Sequence, residues 1–150
     1  MKYLIGIFFS VLLITTKAQN RQDAILGKWE VEDKNLIVDV YKQANTFKAK
    51  VVWFYDEDDT ITPINKRLDI KNPNKALRSR PIVGTDILSS LEYNPKQNRW
   101  NGGRIYDATS GRTWDATVWL TGPNSLSVRG FYIFRWIGKT LNFTRYNGPL

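Results

Sequence analysis

The sequence predicts one all-β domain, a single antiparallel meander β-barrel of about eight to ten strands with a long crossover loop. Most of the chain consists of short segments in which apolar and polar residues alternate with the period of two that strands have. Gly, Pro, Asn and Asp fill the gaps between these segments, as they do in turns. No long window has a convincing helical period. Closure into a barrel is expected because it removes exposed strand edges.

Residues 1–18 have the features of a secretory signal peptide. A lysine precedes an apolar run over residues 4–14, and Thr16 and Ala18 occupy the −3 and −1 positions that a signal peptidase recognises. A run of eleven residues is short of the roughly 20 that span a bilayer. We therefore predict cleavage near Ala18, a single domain over residues 19–150, and an exported protein that is periplasmic or secreted.

The composition narrows the range of functions. The sequence contains no cysteine and no histidine, which removes disulfides, the familiar nucleophile–base pairs and the usual zinc ligand. The net charge is +8, or +6 without the two lysines of the predicted signal peptide. An exported basic protein meets anionic lipid or cell-wall polymer more readily than nucleic acid, and the alternative is a soluble protein that simply has a basic pI. The sequence thus predicts no enzyme, no cofactor, no metal site and no nucleic-acid partner, and the acidic stretch 56–59 is expected to be solvated.

The predicted strands can be placed along the chain in order. The first begins at Gly27, and the others cover residues 35–41, 47–55, 100–106, 112–120, 125–133 and 139–146. Within residues 47–53, two lysines face one side while the apolar residues and Trp53 face the other, which predicts that Trp53 points inward. Residues 85–93 are an exception, because their apolar spacing also fits one or two turns of helix.

The connections between these strands differ in length and chemistry. Residues 56–86 form the crossover loop, which is too long for a hairpin and is expected to fold as a lid or to lie across one end of the barrel. The stretch Asp107–Gly111 is predicted to be a tight turn in which Gly111 supplies a positive φ. The pair Gly102–Gly103 predicts a bulge or a close backbone approach.

Gly27, Trp29 and Arg145 resemble the arrangement found in lipocalins and other calycins. In that arrangement a Gly-x-Trp opens the first strand and an arginine lies on the last. The resemblance implies that the Trp29 ring seals one end of the barrel and that Arg145 stacks across it. A contact of that kind contributes about 1–2 kcal/mol when it is partly desolvated. These residues are predicted to be structural.

A wider resemblance covers the chain from about residue 25 to 146. The segments "GKWEVED", "DIKNPNKALRSRPIVGTDIL", "WNGGRIYDATSGRTW" and "LSVRGFY" resemble domain-of-unknown-function family 2147, small exported bacterial proteins with a lipocalin-like barrel. The family commonly has Asp where this chain has Asn74, and the last hairpin is more aromatic in this chain. The resemblance implies the fold and export, and it implies no activity. The residues expected to shape the fold are Gly27, Trp29, Arg145, Asp69, Asn72, Pro73, Pro81, Gly84, Asp107 and Gly111.

Arg78 and Arg80 in the crossover loop have two interpretations. They form ion pairs with acids such as Asp69 or Asp107 that pin the loop to the barrel end, or they clamp an anionic ligand with their planar guanidinium groups. The loop needs ties of the first kind to stay ordered. The second use would place a carboxylate or phosphate site at the mouth of the barrel.

The functional hypothesis is an exported calycin-like protein that binds a small amphipathic or anionic ligand, such as a fatty acid or lipid fragment. Aromatic side chains would line the interior and arginines would meet the acidic head. The predicted ligand-binding residues are Arg78, Arg80, Arg129, Trp53, Tyr55, Tyr106 and Trp114. The alternative is a solid-cored protein that works through surface contacts with a protein or cell-wall partner; Trp119, on a polar face, fits this alternative. The first hypothesis needs a cavity of at least about 300 Å³, whereas the second predicts a filled barrel with exposed aromatic residues.

Overall fold

Eight antiparallel strands form a closed barrel in the computed structural model of the protein, which describes residues 21–131 and 138–150. Each strand pairs with the next along the chain, and the last pairs with the first, so the predicted meander barrel is confirmed. The predicted signal peptide lies outside the described residues. The strands are β1 (Gly27–Val31), β2 (Leu36–Gln43), β3 (Thr46–Phe54), β4 (Asp86–Asn94), β5 (Arg99–Asp107), β6 (Arg112–Gly122), β7 (Ser125–Phe131) and β8 (Gly138–Arg145).

The alternating pattern of the sequence places apolar side chains inside the barrel. In β6, Ala116 and Val118 are buried in the core while the neighbouring Asp115 is exposed. Successive side chains of a strand point to opposite faces, so one apolar residue in two is sufficient to fill the interior. The core contains aliphatic residues from all eight strands, together with a few large rings.

Two bulges change the faces that the sequence predicts. β3 has an extra residue opposite the step from Ile37 to Val38, so Trp53 pairs with Ile37 while Val51 pairs with Val38. A one-residue insertion reverses which side of the sheet the following side chains occupy. Val38 lines the interior and Ile37 faces outward, so Trp53 lies on the outer face. The prediction that Trp53 points inward is wrong for this reason.

The second bulge explains the helix-like spacing of residues 85–93, most of which belong to β4 and none to a helix. Phe47 pairs with Leu91 and Ala49 with Leu88, so β4 has one more residue than β3 over this stretch. Ser90 takes up the extra length with a φ of 61°. The two buried leucines are therefore three residues apart on one face of a strand, a spacing that also occurs on one face of a helix.

A short 3₁₀ helix, η1 (Asp23–Ile25), closes one end of the barrel, called here the closed end. The fully buried Trp29 donates its indole N–H to the carbonyl of Ile25 at 2.8 Å. The guanidinium of Arg145 lies 4.1 Å from the centre of the Trp29 ring. It also donates to the carbonyls of Leu26 and Ala24, both at 2.8 Å. The predicted stacking of Arg145 on Trp29 is confirmed, and the same arginine holds the chain that leads into β1.

A second buried tryptophan, Trp100, also supports the closed end. Trp100 is 1% exposed and donates its indole N–H to the carbonyl of Gln22 at 3.1 Å. Its ring also contacts Tyr93, with the centroids 5.0 Å apart. Gln22 precedes η1, so Trp29 and Trp100 together fix the segment before β1 across the barrel end.

The crossover loop, residues 55–85 in the structure, lies at the opposite end, called here the open end. It contains two short 3₁₀ helices, η2 (Ile64–Lys66) and η3 (Lys75–Leu77). Its first half is organised by Arg67, which pairs with Asp56 at 2.7 Å and with Asp59 at 3.2 Å. Hydrogen bonds, first from Thr62, hold the pKa of Asp59 below its usual value. The acidic stretch 56–59, predicted to be solvated, is therefore partly an ion-pair partner within the loop.

The turn between β5 and β6 contacts the backbone of the crossover loop. Gly111 has a φ of +71°, as predicted, and a Cβ at this position would overlap the carbonyl oxygen of Lys71. The bulge predicted at Gly102–Gly103 is also present, as a break in the pairing of β5 with β6. Glycine is thus required at position 111 for two reasons, the positive φ and the close approach of the Lys71 carbonyl oxygen.

Replacing Gly111 with alanine is expected to lower the free energy of unfolding by at least about 2 kcal/mol. The strained φ alone costs about 1 kcal/mol, and the clash with Lys71 must move the loop or the turn. Gly84→Ala is the matched control, because Gly84 has a φ of +87° but open space where the Cβ would lie. Urea unfolding of both variants measures the difference; equal losses would show that the contact with Lys71 is not a constraint.

Candidate functional site

The barrel encloses an apolar cavity of about 100 Å³. It extends from Trp29 and Ile25 at the closed end toward the open end, and none of the described residues that line it is polar. The lining side chains are Ile25, Trp29, Leu36, Val38, Val40, Ala49, Ile87, Leu88, Leu91, Ile105, Val118, Leu126, Val128, Leu141 and Phe143. Such a space can hold a compact apolar group, and these side chains offer no hydrogen bond to orient it.

None of the four aromatic residues predicted to line the interior belongs to the cavity lining, although Trp114 shares the inward face. Trp53 faces outward because of the β3 bulge, and Tyr55, which follows β3, is 51% exposed. Tyr106 follows Ile105, which lines the cavity, and its hydroxyl contacts the crossover loop. Trp114 pairs with Ile105 in the register and so shares its inward face, but it lies beyond the cavity toward the open end. The lining is therefore mostly aliphatic, because these four rings fall on the outer face or past the last cavity-lining layer.

Arg129 also lies away from the cavity. It follows Val128, which lines the interior, so its side chain belongs to the outer face of β7. There it donates to the hydroxyl of Thr140 on β8 at 3.2 Å. The prediction that Arg129 meets a ligand head group at the mouth is therefore wrong, because its side chain lies on the outer face. Trp119 is on the outer face as predicted, with the guanidinium of Arg99 5.0 Å from its ring centre.

Asp69 accepts hydrogen bonds from three side chains in and beside the crossover loop. Its side chain is fully buried, and one carboxylate oxygen accepts from the Arg80 guanidinium at 2.9 and 3.1 Å. The same oxygen accepts from the side-chain amide of Asn72 at 2.7 Å, while the other accepts from the Tyr106 hydroxyl at 2.5 Å. A backbone bond from Asp69 to Arg80 joins the two sides of the loop beside this cluster. Of the two interpretations of Arg80, the structure shows the first, in which an ion pair with Asp69 holds the crossover loop.

Arg78 stabilises the loop through a hydrogen bond to the backbone. Its Nε donates to the carbonyl of Asn72 at 2.7 Å, so it bonds a backbone oxygen in place of an acid. Asn74 caps η3 by accepting from the amide of Ala76 at 3.1 Å. Asp107, the other acid predicted as a partner for these arginines, accepts from Thr109 and Ser110 in its own turn. Burial opposes ionisation of Asp107, but these hydrogen bonds outweigh it and lower its pKa.

The remaining structural predictions concern the flanks of the same loop. Pro81 forms a bridge with Leu68, and the amide of Gly84 donates to the carbonyl of Val51 at 2.8 Å. Pro73 separates the buried Asn72 from the Asn74 cap. These contacts attach the second half of the crossover loop to β3 and fix its path across the barrel end.

Tyr106 makes this cluster sensitive to high pH. Burial, then the hydrogen bond to Asp69 and the charge of Asp69, raise the pKa of Tyr106 from 10.0 to about 12, and Arg80 opposes the change. Because the folded-state pKa is raised, the contribution of Tyr106 to stability is complete below pH 10. It is lost as the pH rises toward 12, since the unfolded chain ionises first.

Tyr106→Phe is expected to reduce the loss of stability between pH 9 and pH 12 relative to the unchanged protein. Tyr41, whose pKa burial and Asp86 also raise to about 12, should give the same result independently when replaced with phenylalanine. The measurement is urea unfolding at several pH values over this range. Parallel curves for the unchanged protein and Tyr106→Phe would contradict the assignment.

Most of the residues that form the cavity carry no signal of their own in the sequence. Leu36, Ile87, Val128 and Leu141 line it, although none has a distinctive motif. Their signal is the alternation of each strand, which identifies an inward face but cannot show whether opposing side chains meet. Arg67 has no predicted role either, because its partners lie eight and eleven residues earlier in an irregular loop.

The described part of the chain holds neither a metal cluster nor a membrane-spanning helix. Residues 21–131 and 138–150 contain no group of three or more Asp, Glu, His or Cys side chains arranged to hold a metal ion. Within the same residues, no helix has the length and apolar character needed to cross a membrane.

Comparisons with known proteins agree with this geometry. A lipocalin-family structure, "Protein HP1028 from the human pathogen Helicobacter pylori", superposes with a TM-score of 0.69 at 24% identity, over 82% of this chain and 83% of that one. At this identity the likeness shows the fold. The comparison with curated proteins gives no match. The family described as "Uncharacterized protein conserved in bacteria (DUF2147)" matches residues 27–145, from the first residue of β1 to the last of β8. The chain therefore belongs to the DUF2147 family and has a lipocalin-like barrel.

Proposed function

We propose that the protein binds a small apolar molecule, or the apolar end of a larger one, inside the barrel. The observation that carries the proposal is the cavity of about 100 Å³, lined by apolar side chains throughout the described part of the chain. Removing an apolar group from water into such a space is favourable by about 25 cal/mol for each Å² buried. The lipocalin-like fold supports a binding role, because barrels of eight strands can hold one small ligand.

The size of the cavity limits the ligand. Pockets for drug-sized ligands begin at about 300 Å³, whereas an engineered apolar cavity of about 150 Å³ accepts benzene. The cavity in this barrel, at about 100 Å³, is of the second kind and is smaller than the fatty-acid hypothesis needs. The proposed ligand therefore places about one ring or a short aliphatic end in the barrel, and a complete fatty-acid chain would need a wider interior.

The arginines do not point to an acidic head group on this ligand. Arg80 binds the buried Asp69, Arg78 binds the carbonyl of Asn72, and Arg129 lies on the outer face. A ligand carboxylate would have to replace bonds that already hold the crossover loop. The proposed function is therefore not that of a fatty-acid carrier. The apolar part of the ligand supplies the binding affinity, with no contribution from an acidic head group.

Titration with benzene, followed by the methyl signals of Val118, Leu126 and Leu141, tests this proposal. The chain from Gln19 is used, since it contains all eight strands. Benzene should shift these signals, and Ala49→Leu should weaken binding at least about tenfold because the added atoms occupy the cavity. Ala76→Leu, on the exposed helix η3, is the matched control and should bind as the unchanged protein does.

If Ala49→Leu does not fold, Val128→Phe is a second variant in which an added side chain fills the same cavity. A lack of response to benzene, or equal binding by the filled variants and the control, would contradict a ligand in the barrel. Dodecanoic acid is included in the same titration. Dodecanoic acid could bind more tightly than benzene, and Arg80→Gln could weaken that binding. This result would show that the interior widens on binding, and it would support the hypothesis of an amphipathic ligand.

We also propose that the protein works in the cell envelope after export. The support is the N-terminal sequence, with its apolar run and the Thr16 and Ala18 positions before Gln19. The intact mass of the protein recovered from a Gram-negative host's periplasm tests this directly. A chain that begins at Gln19 is expected, whereas an uncleaved chain in the cytoplasm would contradict export.

A further inference from the structure

The second half of the crossover loop forms a closed unit, called here the crossover tip (residues 70–79). Its base is tied by the backbone bond and the ion pair between Asp69 and Arg80. Within it, Asn72 and Arg78 bond across the loop. The carbonyl of Lys71 rests against Gly111 on the β5–β6 turn. The tip is therefore an ordered part of the loop at the open end, in contact with the β5–β6 turn.

Apolar side chains are exposed on and beside this tip. Leu68, Ile70 and Leu77 are 42%, 67% and 37% exposed. Five of the six large apolar residues exposed in the described part of the chain lie in the crossover loop. Leu68 and Ile70 flank Asp69, whose side chain is buried in the opposite direction. Exposed aliphatic residues concentrated in one region mark a contact surface more often than single ones do.

The charges of the tip have one sign. Lys71, Lys75 and Arg78 are exposed, and residues 70–79 contain no acid. The neighbouring Asp69 is buried and neutralised by Arg80. The acidic stretch 56–59 belongs to the other half of the loop, where Arg67 pairs with two of its carboxylates. In sequence, cations therefore neighbour the exposed Ile70 and Leu77 of the tip.

We propose that the crossover tip docks on the surface of an anionic phospholipid bilayer. Ile70 and Leu77 would enter the boundary between head groups and acyl chains, as the apolar faces of peripheral membrane segments do. Lys71, Lys75 and Arg78 would contact anionic head groups. Each cation close to such a surface contributes about fivefold to the partition constant. The bonds at the base of the tip keep the cost of ordering the loop low, because it is already folded.

This surface turns the open end of the barrel toward the membrane. In an antiparallel meander the connections alternate between the two ends, so the crossover tip lies opposite Trp29 and η1. Docking would therefore place the open end, and not the closed end, at the bilayer. Docking of the tip does not require a ligand in the cavity.

The test is binding of the chain from Gln19 to vesicles of phosphatidylethanolamine and phosphatidylglycerol, measured by sedimentation at increasing lipid concentration. Lys71→Gln with Lys75→Gln is expected to weaken binding about 25-fold. The matched control is Lys28→Gln with Lys96→Gln, which removes the same charge from the closed end and should have little effect. Ile70→Ser with Leu77→Ser should weaken binding at least about tenfold without changing the net charge.

A site-specific probe separates docking from general charge attraction. Because the sequence has no cysteine, Ser79→Cys and Lys96→Cys can each carry one environment-sensitive dye. The dye at position 79 is expected to shift toward an apolar environment on the vesicles, and the dye at 96 is not. Equal binding to phosphatidylcholine vesicles, equal loss in the control pair, or equal shifts of both dyes would overturn the proposal.

Discussion

Replacing Trp29 with alanine is expected to lower the free energy of unfolding by about 4 kcal/mol, more than any other single substitution proposed for this barrel. The ring is fully buried at the closed end, between the core and η1. Its loss removes apolar contact, leaves a space that the barrel wall cannot close, and removes the surface on which Arg145 stacks. Urea unfolding monitored by far-ultraviolet circular dichroism measures the change.

Trp119→Ala is the matched control for this variant. The same ring is removed there, but from the outer face of β6, where it contacts Arg99. A loss of about 1 kcal/mol is expected, since the cation–π contact at this half-buried surface site is weak and no cavity forms. If the two tryptophan variants lost the same stability, closure of the barrel end by Trp29 would not be a main source of stability.

Replacing Asp69 with alanine is expected to cost about 3 kcal/mol. The change removes the acceptor of three side chains, Arg80, Asn72 and Tyr106. Breaking a buried ion pair by removing one partner typically costs about 3–5 kcal/mol, because the other partner is left without compensation. The Arg80 side chain is 34% exposed and can recruit water, which places this site at the lower end of that range.

The loss at Asp69 should also be local. Hydrogen exchange is expected to accelerate at the amides of Asp69 and Ile82, which bond across the base of the crossover loop, before it does in the barrel strands. Asp115→Ala is the control: its pair with Arg104 is exposed on both sides, so a cost under about 1 kcal/mol is expected. Equal costs for the two aspartates would argue that the Asp69 cluster is incidental.

These two sites give the barrel ends different properties. At the closed end, Arg145 ties the chain before β1 with two charge-assisted bonds to carbonyl oxygens over a buried ring. At the open end, the crossover loop is attached mainly through polar contacts centred on Asp69. We expect the open end to unfold locally at a lower free energy, and access to the cavity to occur there.

Much of the fold could be predicted from the sequence because its determinants are local. Period-two alternation predicts the strands other than β4, and turn residues separate them. Gly111 followed from turn chemistry, and its φ of +71° agrees. Trp29 and Arg145 were paired through their resemblance to calycins, and the ring contact at 4.1 Å confirms that pairing. Each of these inferences needs only a few neighbouring residues or a strand's position in the order.

The faces near the bulges could not be predicted in the same way. Alternation along β3 predicts an inward Trp53, but β3 has one more residue than β2 just before this position. The helix-like spacing of Leu88 and Leu91 arises from the second bulge. A bulge forms where two strands of unequal length must share hydrogen bonds, so it depends on the partner strand and not on the sequence of one.

The sequence by itself thus determined an antiparallel barrel, its closed end and the turn at Gly111. Only the tertiary structure decided that Arg80 pairs with Asp69 while Arg78 bonds a carbonyl, and that the interior is mostly aliphatic with about 100 Å³ of space. The physical reason is the range of the interactions. Alternation and turn chemistry act within a few residues, whereas ion pairs in an irregular loop and the volume of a cavity depend on where distant segments meet.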